Sequence, residues 1–249
     1  MNEKESLSLL EKSNVGIFQS IAGSQKFSEK LGEKNPYMHL AIANDRIRKG
    51  KYNEGLSSLN RAIEITDTIA EFYSSRGEVK IKIGDVNGGV LDYSIAILLS
   101  PNTAEFYFKR GTLYMMQSSL DNAKSDLEKC IYLAPKNTEA YINLATIYGR
   151  LNKFQKTIEL LDVIEGFNTQ NSKIYLNRGI AKSMLKDFRG AIDDFSKGIL
   201  IDPMNSQLYF HRGRVSIDVG DKGNACKDLQ QARSYGFKAA ESLISKFCH

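Results

Sequence analysis

A five-residue phrase, Tyr-x-x-Arg-Gly, begins at Tyr73, Tyr107, Tyr175 and Tyr209, and neighbouring copies stand 34 residues apart. The one gap of 68 residues holds a softened copy, Tyr141-Ile-Asn-Leu-Ala145. A fixed period of this size is too short to close a core of its own, so each unit must bury its apolar face against the next. The period therefore predicts a stack of small helical units.

Six units follow in unbroken register, starting at Pro36, Ala70, Ala104, Thr138, Ser172 and Ser206 and ending at Gly236. Each reads as two helices of about a dozen residues around a tight turn. Gly50, Gly84 and Gly220 mark that turn, where a positive φ strains glycine least. Pro101, Pro135 and Pro203 stop the second helix of their units, and Pro36 after Asn35 starts the first. Small residues recur at position eight (Ala43, Gly77, Gly111, Ala145, Gly179, Gly213) and position twenty (Gly55, Gly89, Ala123, Thr157, Ala191, Ala225). They recur again at position twenty-seven, as Ala62, Ala96, Cys130, Ile164, Gly198 and Ala232. Glycine inside a helix costs up to about 1 kcal/mol against alanine, and close crossing of two backbones explains its repeated use. Large residues such as Leu59, Tyr93, Leu127, Leu161, Phe195 and Leu229 fill the spaces between.

Residues 1–35 carry no clear copy of the phrase. Leu7, Leu9 and Leu10, then Ile17, Ile21, Phe27 and Leu31, read as a helical extension or cap over the first unit; Gly16 and Phe18 leave a decayed unit as the alternative. At the other end, residues 237–249 place Phe237, Ala240, Leu243 or Ile244, and Phe247 on one helical face, which reads as a capping helix.

These features resemble the tetratricopeptide-repeat family. Its unit is a 34-residue helix–turn–helix with small residues at positions eight, twenty and twenty-seven and proline at thirty-two. The resemblance runs from Pro36 to about residue 237, with tyrosine where the family favours tryptophan at position four. Unit four departs most: it lacks the closing proline and carries Ile164 where a small residue is usual. The resemblance implies an all-α, right-handed superhelical solenoid of six repeats, with a concave groove built by the first helices that holds an extended peptide or partner helix. Some family members grip a chaperone's C-terminal carboxylate through polar residues that include a lysine at position five. Here position five is apolar or serine throughout, which disfavours that partner.

Comparing units within the chain adds a second pattern. Arg76, Arg110, Arg178 and Arg212 occupy position seven, and Asp92, Asp126, Asp194 and Asp228 occupy position twenty-three of the same units. Both types are missing together in unit one (Ile42, Ser58) and unit four (Leu144, Leu160). This co-occurrence predicts inter-helix ion pairs, with the two leucines as the apolar replacement.

Positions two, five or six, and nine share a face of the first helix, and in a stack that face becomes the groove wall. Its candidate binding residues are Lys109, Asn143, Lys173, Asn177, His211 and Arg214, with Phe108, Ile142, Leu176 and Phe210 as apolar neighbours. Asn143 and Asn177 hold the same column one unit apart and offer donor and acceptor to a peptide backbone. Glu71, Glu78, Glu105 and Glu139 make the N-terminal half of the wall acidic; Lys173, His211 and Arg214 make the other half basic. A bound segment would therefore place acidic groups or a carboxyl terminus near units five and six.

The net charge of +5 lies wholly in the last third: six basic residues face four acidic ones in unit five, and seven face four from Ser206 onward. This excess supports a nucleic-acid-binding alternative, which the glutamates of position two oppose. Self-association through the end units is a third reading. Cys130, Cys226 and Cys248 are odd in number and far apart, which predicts neither a disulfide framework nor a metal site. No glycine-rich phosphate loop or catalytic grouping appears, so the expectation is a non-enzymatic scaffold that needs no cofactor. The opening residues mix acidic and basic side chains without a signal-peptide core, and no run is long and apolar enough to span a membrane. A cytoplasmic location is expected.

Overall fold

A computed structural model describes residues 34–167 and 170–248. They form thirteen helices and, among the described residues, no strand. The cap expected at the N-terminus falls almost wholly on residues 1–33, outside those described.

The chain divides after Pro101 into two compact units. The first holds α1 (Pro36–Arg48), α2 (Tyr52–Ile65), α3 (Ala70–Lys82) and α4 (Val86–Leu99). The second holds α5 (Ala104–Met116), α6 (Leu120–Leu133), α7 (Thr138–Arg150), α8 (Phe154–Glu165), α9 (Ser172–Met184) and α10 (Phe188–Ile201). It continues with α11 (Ser206–Asp218), α12 (Lys222–Ser234) and α13 (Ala240–Phe247). Odd and even helices pair as hairpins, and each even helix inside a unit also packs on the next odd one.

The turn within every hairpin is the same device. The residue at position fifteen takes a positive φ in all six: Gly50 75°, Gly84 89°, Ser118 58°, Asn152 56°, Lys186 66° and Gly220 80°. The next N–H then reaches back five residues, as in Asp85 N to Lys80 O (2.8 Å) and Asp187 N to Lys182 O (3.0 Å). That bond satisfies a carbonyl the ending helix would otherwise leave orphaned. The second helix is then often capped at its start: Asp85, Asp187 and Asp221 accept from the N–H of Gly88, Gly190 and Asn224. Asparagines 35, 137, 171 and 205 cap four of the first helices in the same way.

Position twenty-four supplies the core of each hairpin: Leu59, Tyr93, Leu127, Leu161, Phe195 and Leu229 are all almost fully buried. Burying each such side chain stabilises the fold by roughly 1.5–3 kcal/mol. The small residue at position eight makes room for it. A Cβ on Gly179 would stand 2.6 Å from the Phe195 ring, and one on Gly213 would stand 3.1 Å from both the Ala225 carbonyl and Leu229. Glycine at these points is a packing requirement.

Unit four is built differently. Ala145 and Thr157 face each other where most units place smaller residues, and the Thr157 hydroxyl donates to the Ala145 carbonyl across the helices (3.3 Å). Its second helix, α8, has 12 residues, against 14 in α2, α4, α6 and α10. Ile164, at the column that is small elsewhere, is fully buried.

The last hairpin is covered by α13, whose Ala240 is buried while Phe237, Leu243 and Ile244 pack on Leu229 and Ala232. The expectation of three independent thiols is corrected here: Cys226 and Cys248 form a disulfide that ties the end of the cap to α12. Their separation of 22 residues carried no signal, because only the return of α13 across the hairpin brings the two together. Cys130 remains a free, fully buried thiol, and burial pushes its pKa up to about 11.

Candidate functional site

The repeated phrase is explained at atomic detail by its arginine. Arg76, Arg178 and Arg212 each send Nε and Nη2 to the two carboxylate oxygens of Asp92, Asp194 and Asp228, at 2.6–2.9 Å. Arg110 does the same with Asp126 at 2.7 and 2.8 Å. Such forked pairs are the strong, directional form of ion pairing. In three units the guanidinium also lies over the tyrosine three residues earlier: Arg76 on Tyr73, Arg178 on Tyr175 and Arg212 on Tyr209, at 5.3, 5.6 and 5.8 Å from the ring centroid. Arg110 instead lies over Tyr114.

The remaining nitrogen, Nη1, reaches the second helix of the preceding hairpin. Arg76 donates to Asn60, Arg178 to Asp162 and Glu165, and Arg212 to Ser196. Three of these acceptors hold position twenty-five, a polar column that the reading of the sequence did not single out. Around Arg178 the result is a pocket of about 670 Å³ in which Lys182 also binds Asp194 and Lys197 binds Glu165. The Arg178 guanidinium holds the Glu165 carboxyl down at a pKa of about 2. These arginines are engaged by the protein itself and are poor hooks for an outside anion.

In the second unit, α7 packs directly on α9 and α9 on α11, so the first helices form a layer of their own. The candidate binding residues fall on this layer but are not alike. Ile142 and Leu176 are buried, closing the helix contacts, and are not open to a guest. Phe108 is half-buried against the core around Leu127 and Leu144, and Phe210 packs on Phe237 at 4.5 Å between centroids. Position five is thus mainly packing surface.

His211 is also not the basic residue expected. Its Nδ1 is enclosed without a hydrogen-bond partner, and its ring stacks on Phe195 (5.9 Å) and meets Phe210 edge-on (5.4 Å). Desolvation, helped by the charge of Arg214, lowers its pKa to about 4, so it is neutral at pH 7.

The polar face that remains is compact. Asn177 donates to the Thr146 hydroxyl across α7 and α9 (3.3 Å), which fixes its amide with the carbonyl side unengaged by that bond. Asn143 is half-buried, and its side-chain amide makes no hydrogen bond among the described residues. Arg214 is half-buried on α11, and Lys109 sits at a similar depth on α5. Lys173 is exposed and stands 3.8 Å from Glu139, which also accepts from Asn171. The acidic and basic halves of the wall therefore partly neutralise each other at this point. Together these groups can hydrogen-bond a peptide backbone and attract a carboxylate near α11.

Comparison with known proteins agrees with the helical-hairpin fold. The sequence profile of the tetratricopeptide repeat matches residues 104–137, the α5–α6 hairpin. No curated protein sequence matches the chain. Among solved structures, the chain is similar to YrrB, described as a TPR protein with an unusual peptide-binding site. The identity is 18% and the TM-score 0.63, covering 76% of this chain and 97% of that one. It is similar to MamA at 25% identity and a TM-score of 0.60, over 66% of this chain and 96% of that one. The pilF protein of Pseudomonas aeruginosa aligns at 14% identity and a TM-score of 0.71, over 85% of this chain and 96% of that one. One hairpin matches the tetratricopeptide-repeat profile, five more stand in the same 34-residue register, and the described helices share the fold of solved tetratricopeptide-repeat structures.

Proposed function

We propose that the chain is a non-enzymatic scaffold that holds an extended segment of another protein on the first-helix face of its second unit. The observation that carries this reading is the Asn143–Thr146–Asn177 cluster. It places one fixed and one unengaged amide on neighbouring helices at the spacing of one repeat. A side-chain amide both donates and accepts, and can therefore pair with a peptide backbone whatever the guest's sequence. Arg214, beyond Asn177, gives the guest's acidic group or C-terminal carboxylate a charge-assisted partner. The likeness to YrrB, itself described as having a peptide-binding site, supports a peptide as the kind of guest.

The basic excess of the last third gives little support to nucleic-acid binding. In unit five Arg178, Lys182 and Lys197 are bound to carboxylates and Lys173 stands near Glu139. Four of the six cations of unit five thus stand at the protein's own carboxylates and are not free to follow a phosphate backbone. On location, no described helix is long and apolar enough to cross a membrane. The Cys226–Cys248 cystine favours an oxidising compartment over the cytoplasm expected from the sequence.

The test is selection of peptides from a random library on the full chain, followed by titration of the selected peptides against wild type and Asn143→Ala/Asn177→Ala. Groove binding predicts at least a ten-fold loss in a variant that still melts cooperatively, with only the small drop expected from losing the Asn177–Thr146 bond. Equal affinity in both would remove the proposal.

A further inference from the structure

Unit four lacks the arginine–aspartate pair, and its replacement changes the chemistry of the pocket at that junction. Ile131 of α6, Leu144 of α7, and Leu160 and Val163 of α8 line a pocket of about 450 Å³. One junction further along, the corresponding pocket is lined instead by the Arg178 guanidinium, its carboxylates and two lysines. Here both polar partners are leucine, so the floor of the pocket is apolar where its neighbour's is charged. Val163 on its edge remains 53% exposed, which keeps the apolar lining open to solvent.

The rim of this pocket is acidic. Glu128 accepts from the Tyr148 hydroxyl at 3.3 Å, and its nearest cation, Lys124, is 3.9 Å away. Glu159 has only a long contact from Gln155, at 3.4 Å. Lys156, the one cation of the rim, lies over the Tyr148 ring at 5.7 Å and bridges neither carboxylate. Two exposed carboxylates therefore flank an apolar floor, Glu128 held loosely by Lys124 and Glu159 bridged by no cation among the described residues.

We propose that this pocket is a second docking site, separate from the first-helix face. Its occupant is a partner peptide that inserts a leucine- or phenylalanine-sized side chain and carries a lysine or arginine beside it. The volume falls in the range of pockets that enclose a small apolar group. The desolvated floor supplies affinity, and the two glutamates select a basic neighbour and speed its approach.

The same random-peptide selection on the full chain, read by competition, tests this. The proposal predicts a class of peptides pairing an apolar anchor with a basic residue. Leu144→Arg/Leu160→Asp installs the ion pair that four other units carry and should weaken that class at least ten-fold. Glu128→Lys/Glu159→Lys alters only exposed side chains, leaves the fold intact, and should weaken it similarly, in a salt-dependent way. Asn143→Ala/Asn177→Ala should leave this class untouched, which separates the two sites. The proposal is overturned if no such class is selected, if Glu128→Lys/Glu159→Lys binds it as wild type does, or if only the asparagine variant weakens it. Should Leu144→Arg/Leu160→Asp fail to fold, the glutamate variant decides alone.

Discussion

Position fifteen shows how a single residue's backbone sets a hairpin. Gly50, Gly84 and Gly220 were readable as turn residues, but Ser118, Asn152 and Lys186 adopt the same positive φ without the side-chain freedom that would advertise it. The register, and not the residue type, identifies them. A left-handed conformation costs a non-glycine residue about 1–2 kcal/mol, less for asparagine. Lys186→Gly should therefore stabilise the chain by roughly 0.5–1 kcal/mol in chemical denaturation, after the entropy glycine loses on folding, and Asn152→Gly by less. The buried His211 makes a second residue-scale prediction. Its folded pKa of about 4 lies below the ordinary 6.5, so the unfolded chain binds the proton first. Stability is then intact above pH 6.5 and falls as pH drops toward 4. Glu165, held at about 2 against an ordinary 4.5 by Arg178, has the same sign lower down: its contribution is present above pH 4.5 and lost toward 2. Denaturation followed against pH should show the upper window flatten in His211→Phe and the lower one in Glu165→Gln.

At the scale of the element, Arg76, Arg178 and Arg212 at position seven each tie three helices together: their own, the hairpin partner through aspartate, and the preceding second helix through position twenty-five. The first two links were legible because arginine and aspartate appear and vanish together. The third was not, because Asn60, Asp162 and Ser196 differ in type and share only polarity. Arg178 and Asp194 are both almost fully buried. Arg178→Ala leaves Asp194 with only Lys182 and should cost about 3–5 kcal/mol. Arg178→Leu with Asp194→Leu copies the solution of unit four and should recover much of that loss in a double-mutant cycle. The cap is the other element with a distinct signature. Reducing the Cys226–Cys248 bond opens a loop of 22 residues, an entropic change of about 3 kcal/mol. Amide exchange in α13 should then accelerate before exchange in α11 and α12.

The repeat architecture of the whole molecule was legible in the sequence, because a 34-residue period dictates both helix length and helix pairing. The proposed binding face was less so. Position five looked like an apolar contact surface, yet Ile142 and Leu176 are spent on packing, and His211 looked cationic until its burial was seen. Burial depends on how neighbouring hairpins stack, which no single column records. What survives is the narrow polar strip of Asn143, Asn177 and Arg214 in the second unit. The most direct test is calorimetric titration of a library-selected groove peptide into wild type and into Asn143→Ala/Asn177→Ala. The account predicts affinity at least ten-fold weaker in the variant, which still melts cooperatively. Indistinguishable affinities for the two proteins would contradict it.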